Sequence, residues 1–199
     1  MLKINYNNLQ DMDYVFTTSL SVIACRIRIT EAGWKNVFNT KIGTHEGRII
    51  MLEAGGTKVA MIAEMDPLGS RKQAGSLKIH PLSSYVGNGW RGSRIVSIKR
   101  SPVYDDAGIR DKAVDGIMAM WKSGKLKYDP RGAASHAKLW SWLGESKNPN
   151  AYYCSEFSEF VDQHFAGFST VGKLGKTDNI HPYQHQLSKQ TKEVDWKIA

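Results

Sequence analysis

The chain has 199 residues, 41% of them apolar and 10% aromatic, and a formal net charge of +8. That length and composition suit one globular domain able to bury a core without disulfide or metal staples, and the mixed signs of its charges exclude wholesale disorder. Two cysteines, Cys25 and Cys154, are too few for a disulfide framework or a zinc site, so reduced thiols are expected. Excess positive charge draws a protein toward polyanions such as nucleic acid, anionic lipid or cell-wall polymers, but no nucleic-acid-binding motif accompanies it; a basic, solvated surface is the plainer reading. No apolar run is long enough to span a bilayer, and "MLKINYNNLQDMDYVF" lacks a basic segment followed by an apolar core. The expected location is the cytoplasm of the producing cell, with lysis or a virus particle as the route out.

Along the chain, "DYVFTTS" (13–19) predicts a strand ending in a polar turn. "LSVIACRIRITEAGW" (20–34) is ambiguous: its β-branched content favours a strand, while a helix would bury the same residues. "GTHEGRIIMLEAGGTKVAMIAEM" (43–65) predicts a β-hairpin, two apolar runs around a Gly-Gly turn, and "RIVSIKR" (94–100) alternates like a strand. In "DAGIRDKAVDGIMAMWKSG" (106–124), Ile109, Ala113, Ile117 and Trp121 recur every four residues and Gly124 supplies a stop, so a helix is predicted. "KYDPRGAASHAKLWSWLGES" predicts a loop and a short aromatic helix, whose Trp140 and Trp142 are either a ligand platform or packing. "CSEFSEFVDQHFAGF" carries Phe157, Phe160, Val161 and Phe165 along one helical face and ends at Gly167. The polar tail from Gly172 either wraps the domain or frays, and 189–199 is its most flexible candidate. No repeat or linker interrupts the chain, so a single domain, 1–199, of α+β class is expected.

Cys154 sits at the first turn of the last of these helices, where unpaired backbone N–H groups and the positive end of the dipole favour a thiolate. The same N–H groups can hold a developing oxyanion. Three residues before Phe157, the thiol falls on the inward helical face. Its base is expected to be a histidine. Of the six, His45 alone lies within a predicted strand. His164 rides on the Cys154 helix about 15 Å away, His80 precedes a proline, and His136, His181 and His185 lie in polar or loop-like sequence. In the hairpin, a turn centred between Ala54 and Gly55 pairs His45 with Glu64. A two-residue shift pairs it with Asp66 and leaves Glu64 diagonal, while a one-residue slip moves both acids to the other face. Glu64 is the better candidate to orient the ring, as the third member of a Cys–His–acid triad does.

"GTHEGRII", "VAMIAEM", "KLKYDPRG" and "AYYCSEFSEFV", in that order, resemble the permuted papain-like hydrolases of the NlpC/P60 superfamily, particularly the YiiX/YebB-like branch, over roughly residues 13–188. The resemblance implies a nucleophile at Cys154, a base at His45, an orienting residue at Glu64, and a circularly permuted papain-like fold with a five- or six-stranded antiparallel sheet packed on the Cys-bearing helix. It also implies cleavage of amide bonds, often in cell-wall peptides, with lipid acyltransferases among the relatives. The chain departs from the pattern at Glu46 and Arg48, where members usually carry apolar residues, and a different substrate cleft is expected there.

The resulting expectation is a thiol hydrolase without metal or cofactor, acting on a peptide, cell-wall or lipid substrate. Tyr153 and Tyr128 are candidate substrate-binding residues, with packing and a plain turn at Tyr128–Asp129 as their ordinary alternatives. Cys25 is expected in the core. The non-catalytic alternative is a basic interaction protein that acts on a host partner. Oligomeric state is not legible in the sequence.

Overall fold

The computed structural model describes residues 3–19, 22–66, 76–86, 93–130, 151–172 and 180–198. Trp140, Trp142, His136 and the expected aromatic helix lie outside them.

The hairpin is the centre of the fold. β3 (His45–Ala54) and β4 (Thr57–Asp66) pair antiparallel from Arg48↔Ala63 to Ala54↔Thr57. Gly55 and Gly56 make the two-residue turn with φ of 59° and 76°. Positive φ at both central positions matches the twist of the flanking strands and is open to glycine at no steric cost. β2 (Tyr14–Thr18) flanks β3 on its other side, and β6 (Arg94–Arg100) flanks β2, with a bulge between Phe16 and Thr17. β5 (Ser76–Pro81) lies outside β4.

Short strands extend both edges. β7 (Lys127–Tyr128) pairs with β5, and β8 (Ala151–Tyr152) runs parallel to β7. β9 (Lys192–Glu193) pairs with β6. The sheet order is β8-β7-β5-β4-β3-β2-β6-β9. Among the described residues the sheet is therefore eight-stranded and mixed, where five or six antiparallel strands were expected. The added pieces are two-residue strands that carry too little alternation to register in the sequence.

Each face of the sheet has its own core. On one, Ile50, Ala63, Met65 and Leu77 pack against α2 (Ala107–Ser123) through Ala113 and Ile117, and against α3 (Cys154–Ala166) through Phe157 and Val161. Both helices end on a left-handed glycine, Gly124 and Gly167, each with φ of 61°. On the other face, Val15, Ile49, Ile62 and Ile98 are covered by Leu82, Tyr85 and Trp196.

Two open readings are decided. Within segment 20–34, α1 spans Val22–Ala32. Its buried Arg28 donates to Thr18 Oγ1 (2.8 Å), Ser19 O (2.9 Å), Val37 O (2.8 Å) and Cys25 Sγ (3.2 Å). A guanidinium with that many fixed acceptors overrides a weak β-propensity. Cys25 is accordingly half-buried beside Arg28 rather than sealed in a core. The tail, for its part, wraps the domain. Beyond α4 (Pro182–Leu187), β9 joins the sheet, Val194 N donates to Ile98 O (2.9 Å), Trp196 is 4% exposed, and β10 (Lys197–Ile198) pairs with β1 (Lys3–Ile4).

Candidate active site

β3 delivers His45 as its first residue and β4 delivers Glu64 near its end. The β3–β4 ladder stops at Arg48↔Ala63, so the start of β3 and the end of β4 continue unpaired with each other. Carried past that point, the register sets Gly47 opposite Glu64 and His45 opposite Asp66, the diagonal alternative of the two registers considered. The diagonal works because position 47 has no side chain: a Cβ there would lie 3.0 Å from Glu64 Cβ and 2.8 Å from both Ala63 O and Ile62 Cγ1. Glu64 leans across this space, and its Oε2 accepts from His45 Nε2 at 3.0 Å. Asp66 is also buried, at 6% exposure, but the ring is bonded to Glu64.

α3 opens at Cys154 with Tyr153 as its N-cap residue in extended conformation. Tyr153 N donates to Glu156 Oε2 (3.3 Å), and an acidic side chain in the first turn suits the helix dipole. Cys154 is 7% exposed and lies close enough to His45 for its charge to bear on the ring. Because Glu64 occupies His45 Nε2, Nδ1 is the ring nitrogen left for the sulfur. Burial pushes the His45 imidazole toward its neutral form, but the negative charges of Cys154 and Glu64 and their hydrogen bonds outweigh it and hold its pKa well above the ordinary value. Burial likewise raises Glu64, but His45 and His80 together hold its carboxyl well below the usual range. His45 keeps 23% of its side chain exposed against 2% for Glu64, so the ring is the solvent-facing member of the pair.

The sequence reading missed two partners of Glu64. His80 Nε2 lies 2.9 Å from Oε1, and Tyr85 donates its hydroxyl to Oε2 at 2.7 Å. His80 was passed over for its following proline. Yet the β4–β5 register, Ile62↔His80 and Glu64↔Lys78, sets it diagonally across from Glu64 just as His45 is from the other side.

The expected substrate-binding tyrosines separate. Tyr128 is half-buried close enough to Cys154 that burial first, and then the charges of Cys154, Asp129, Asp66 and Glu156, push its phenol well above its ordinary pKa. Tyr153 is 3% exposed, and its hydroxyl accepts from Ile180 N at 3.2 Å. Together with Ser155 Oγ, which donates to Ile180 O at 2.6 Å, it ties the segment before α4 to the start of the Cys helix. Its hydroxyl acts as a tether between the two segments.

Glu46 and Arg48 are a correction. Both are 0% exposed and face α3, not a cleft. Arg48 donates to Asp162 Oδ2 (2.7 Å), Ser158 O (3.0 Å) and Met12 O (3.2 Å), and its guanidinium lies 3.4 Å over the Tyr14 ring. Asp162 also accepts from Tyr14, Tyr104 and Thr170. Glu46 meets His185 Nδ1 at 2.7 Å, and Glu159 meets His185 Nε2 at 3.1 Å. Burial lowers the His185 pKa, but the two carboxylates outweigh it and raise it to about 10. These two clusters fasten the strand that carries His45 to the helix that carries Cys154.

No protein-family model matches the chain, and no curated protein matches it. Among solved structures it is similar to the metalloprotein YiiX from Escherichia coli O157:H7, DUF1105, with a TM-score of 0.61 and 15% identity, over 96% of this chain and 99% of that one. At that identity the likeness shows the fold alone: the chain has a YiiX-like α+β fold.

Proposed function

We propose that the chain is a thiol hydrolase of circularly permuted papain-like architecture, cleaving an amide or isopeptide bond. The observation that carries this reading is the side-chain series Cys154–His45–Glu64, in which a partly exposed imidazole, bonded to a buried carboxylate and with a raised pKa, lies beside a thiol at a helix start. A cationic His45 stabilises the Cys154 thiolate, and Glu64 fixes the ring so that Nδ1 faces the sulfur. The thiolate attacks the carbonyl carbon, and backbone N–H at the start of α3 receives the oxyanion. His45 gives its proton to the leaving amine as the C–N bond breaks, leaving a thioester on Cys154. It then takes a proton from water, whose oxygen attacks the thioester, releasing the acid and restoring the thiolate beside a protonated His45.

The E. coli protein is described as a metalloprotein. Among the described residues of this chain no group of three or more His, Cys, Asp or Glu is arranged to hold a metal ion. The two-histidine, one-carboxylate cluster is wired internally, with both Glu64 oxygens accepting from His45, His80 and Tyr85. No step is therefore routed through a metal.

Acyl transfer on lipid is favoured by one observation. Trp34 and Phe38 are 73% and 77% exposed in the segment leading into His45, with exposed Lys35 and Lys41 beside them. Bulky aromatics flanked by lysines suit a lipid–water interface. The deciding experiment incubates the wild type and Cys154→Ala with peptidoglycan fragments and, separately, with phospholipid vesicles, and reads products by mass spectrometry. Wild-type cleavage of an amide, absent in the variant, supports the proposal. Consumption of phospholipid alone supports acyl transfer, and a biological effect unchanged in Cys154→Ala supports a non-catalytic role.

A further inference from the structure

His80 makes two ring contacts whose donor and acceptor roles can be worked out. Ser84 Oγ donates its proton to Pro81 O at 2.7 Å, so toward His80 Nδ1, 3.0 Å away, it offers a lone pair. Glu64 Oε1, 2.9 Å from Nε2, belongs to a carboxyl held in its ionised form and likewise accepts. Both His80 nitrogens thus face acceptors, and an imidazole that donates from both nitrogens is a cation. The ring is 14% exposed and tilts against Tyr85, with centroids 5.7 Å apart.

We propose that His80 is a cationic positioning residue for the Cys154–His45–Glu64 set: it holds the second oxygen of Glu64, and its positive charge balances that carboxylate, so that four groups, Cys154, His45, Glu64 and His80, share two negative and two positive charges. This rests on the thiol-hydrolase reading for its purpose, though not for the charge on the ring. Among the described residues, Glu64 from β4, His45 from β3, Tyr85 from the turn after β5, and Lys78 on His80's own strand opposite Glu64 are titratable groups around it. Removing a positive charge from such a cluster raises every neighbouring pKa. The pH window in which Cys154 is a thiolate beside a protonated His45 therefore moves to the alkaline side at both limbs.

The test has two arms. In the wild-type protein, nitrogen chemical shifts of labelled histidines at pH 7 should show both His80 nitrogens protonated; one bare nitrogen overturns the proposal. In the second arm, the alkylation rate of Cys154 by iodoacetamide is followed from pH 4 to 10 by mass spectrometry in wild type, His80→Gln and His80→Leu. His80→Gln keeps a donor near Glu64 but not the charge. Both variants should shift the profile upward by about half a pH unit or more. A His80→Gln profile superimposed on the wild type, or a uniform loss of rate without a shift, overturns it. A wild-type Cys154 no more reactive than an ordinary thiol sinks the hydrolase reading, while the nitrogen shifts still decide the charge on His80.

Discussion

Replacing Arg48 by Met isolates the fastening between the His45 strand and the Cys154 helix. The change removes the guanidinium bonds to Asp162, Ser158 and Met12 while keeping much of the side-chain volume. Asp162 stays fully buried, with the hydroxyls of Tyr14, Tyr104 and Thr170 as its remaining side-chain donors. Breaking one side of a buried pair costs about 3–5 kcal/mol, because the surviving charge is left without its counter-ion. For a chain of this size each kcal/mol lowers Tm by about 2–4 °C, so Arg48→Met should melt roughly 6–20 °C below wild type. Thermal unfolding by circular dichroism, with urea titration as a second measure, reads the effect. The double variant Arg48→Met/Asp162→Leu removes the orphaned charge and should recover part of the loss. A Met variant within about 1 kcal/mol of wild type would refute the reasoning, since a fully desolvated carboxylate cannot lose its guanidinium so cheaply.

Gly47→Ala should destabilise by roughly 1–3 kcal/mol and slow Cys154 alkylation, because the added methyl meets backbone at Ala63 O and displaces Glu64; urea midpoints and alkylation rates check this. Glu64→Gln removes a negative charge from beside His45, so the alkaline limb of Cys154 reactivity should fall by about one pH unit or more, as read by an alkylation profile. His185, raised from 6.5 to about 10 in the fold, contributes stability that is complete below about pH 6.5 and lost as pH climbs toward 10. His45 is raised too and acts in the same direction, so the check is a comparison: urea midpoints from pH 6 to 10 should fall less steeply in His185→Gln than in wild type.

The hairpin was legible because its alternation, its Gly-Gly turn and the position of His45 are all local signals. The carboxylate beside His45 was legible as a choice of registers, and the register is fixed by a turn at Gly55–Gly56, one residue beyond the centre first considered. What escaped were side chains whose meaning depends on distant partners. Glu46 and Arg48 read as changes to a cleft, yet their partners are Asp162, Ser158 and His185, more than a hundred residues away. His80 looked spoiled by Pro81, although Pro81 serves it: its carbonyl takes the Ser84 proton and turns that hydroxyl into an acceptor. α1 was undecidable because its β-branched residues fit either state, and what settles it is a buried arginine reaching back to the end of β2.

Labelling with an iodoacetamide probe near pH 6, read by mass spectrometry, tests the central claim most directly. Cys25, half-buried beside Arg28, is the internal comparison. The account predicts selective modification of Cys154, where a free thiol is almost wholly protonated, and its loss in His45→Ala with folding intact. Equal or slower labelling of Cys154 relative to Cys25, or labelling unchanged by His45→Ala, would contradict a thiolate held by that imidazole.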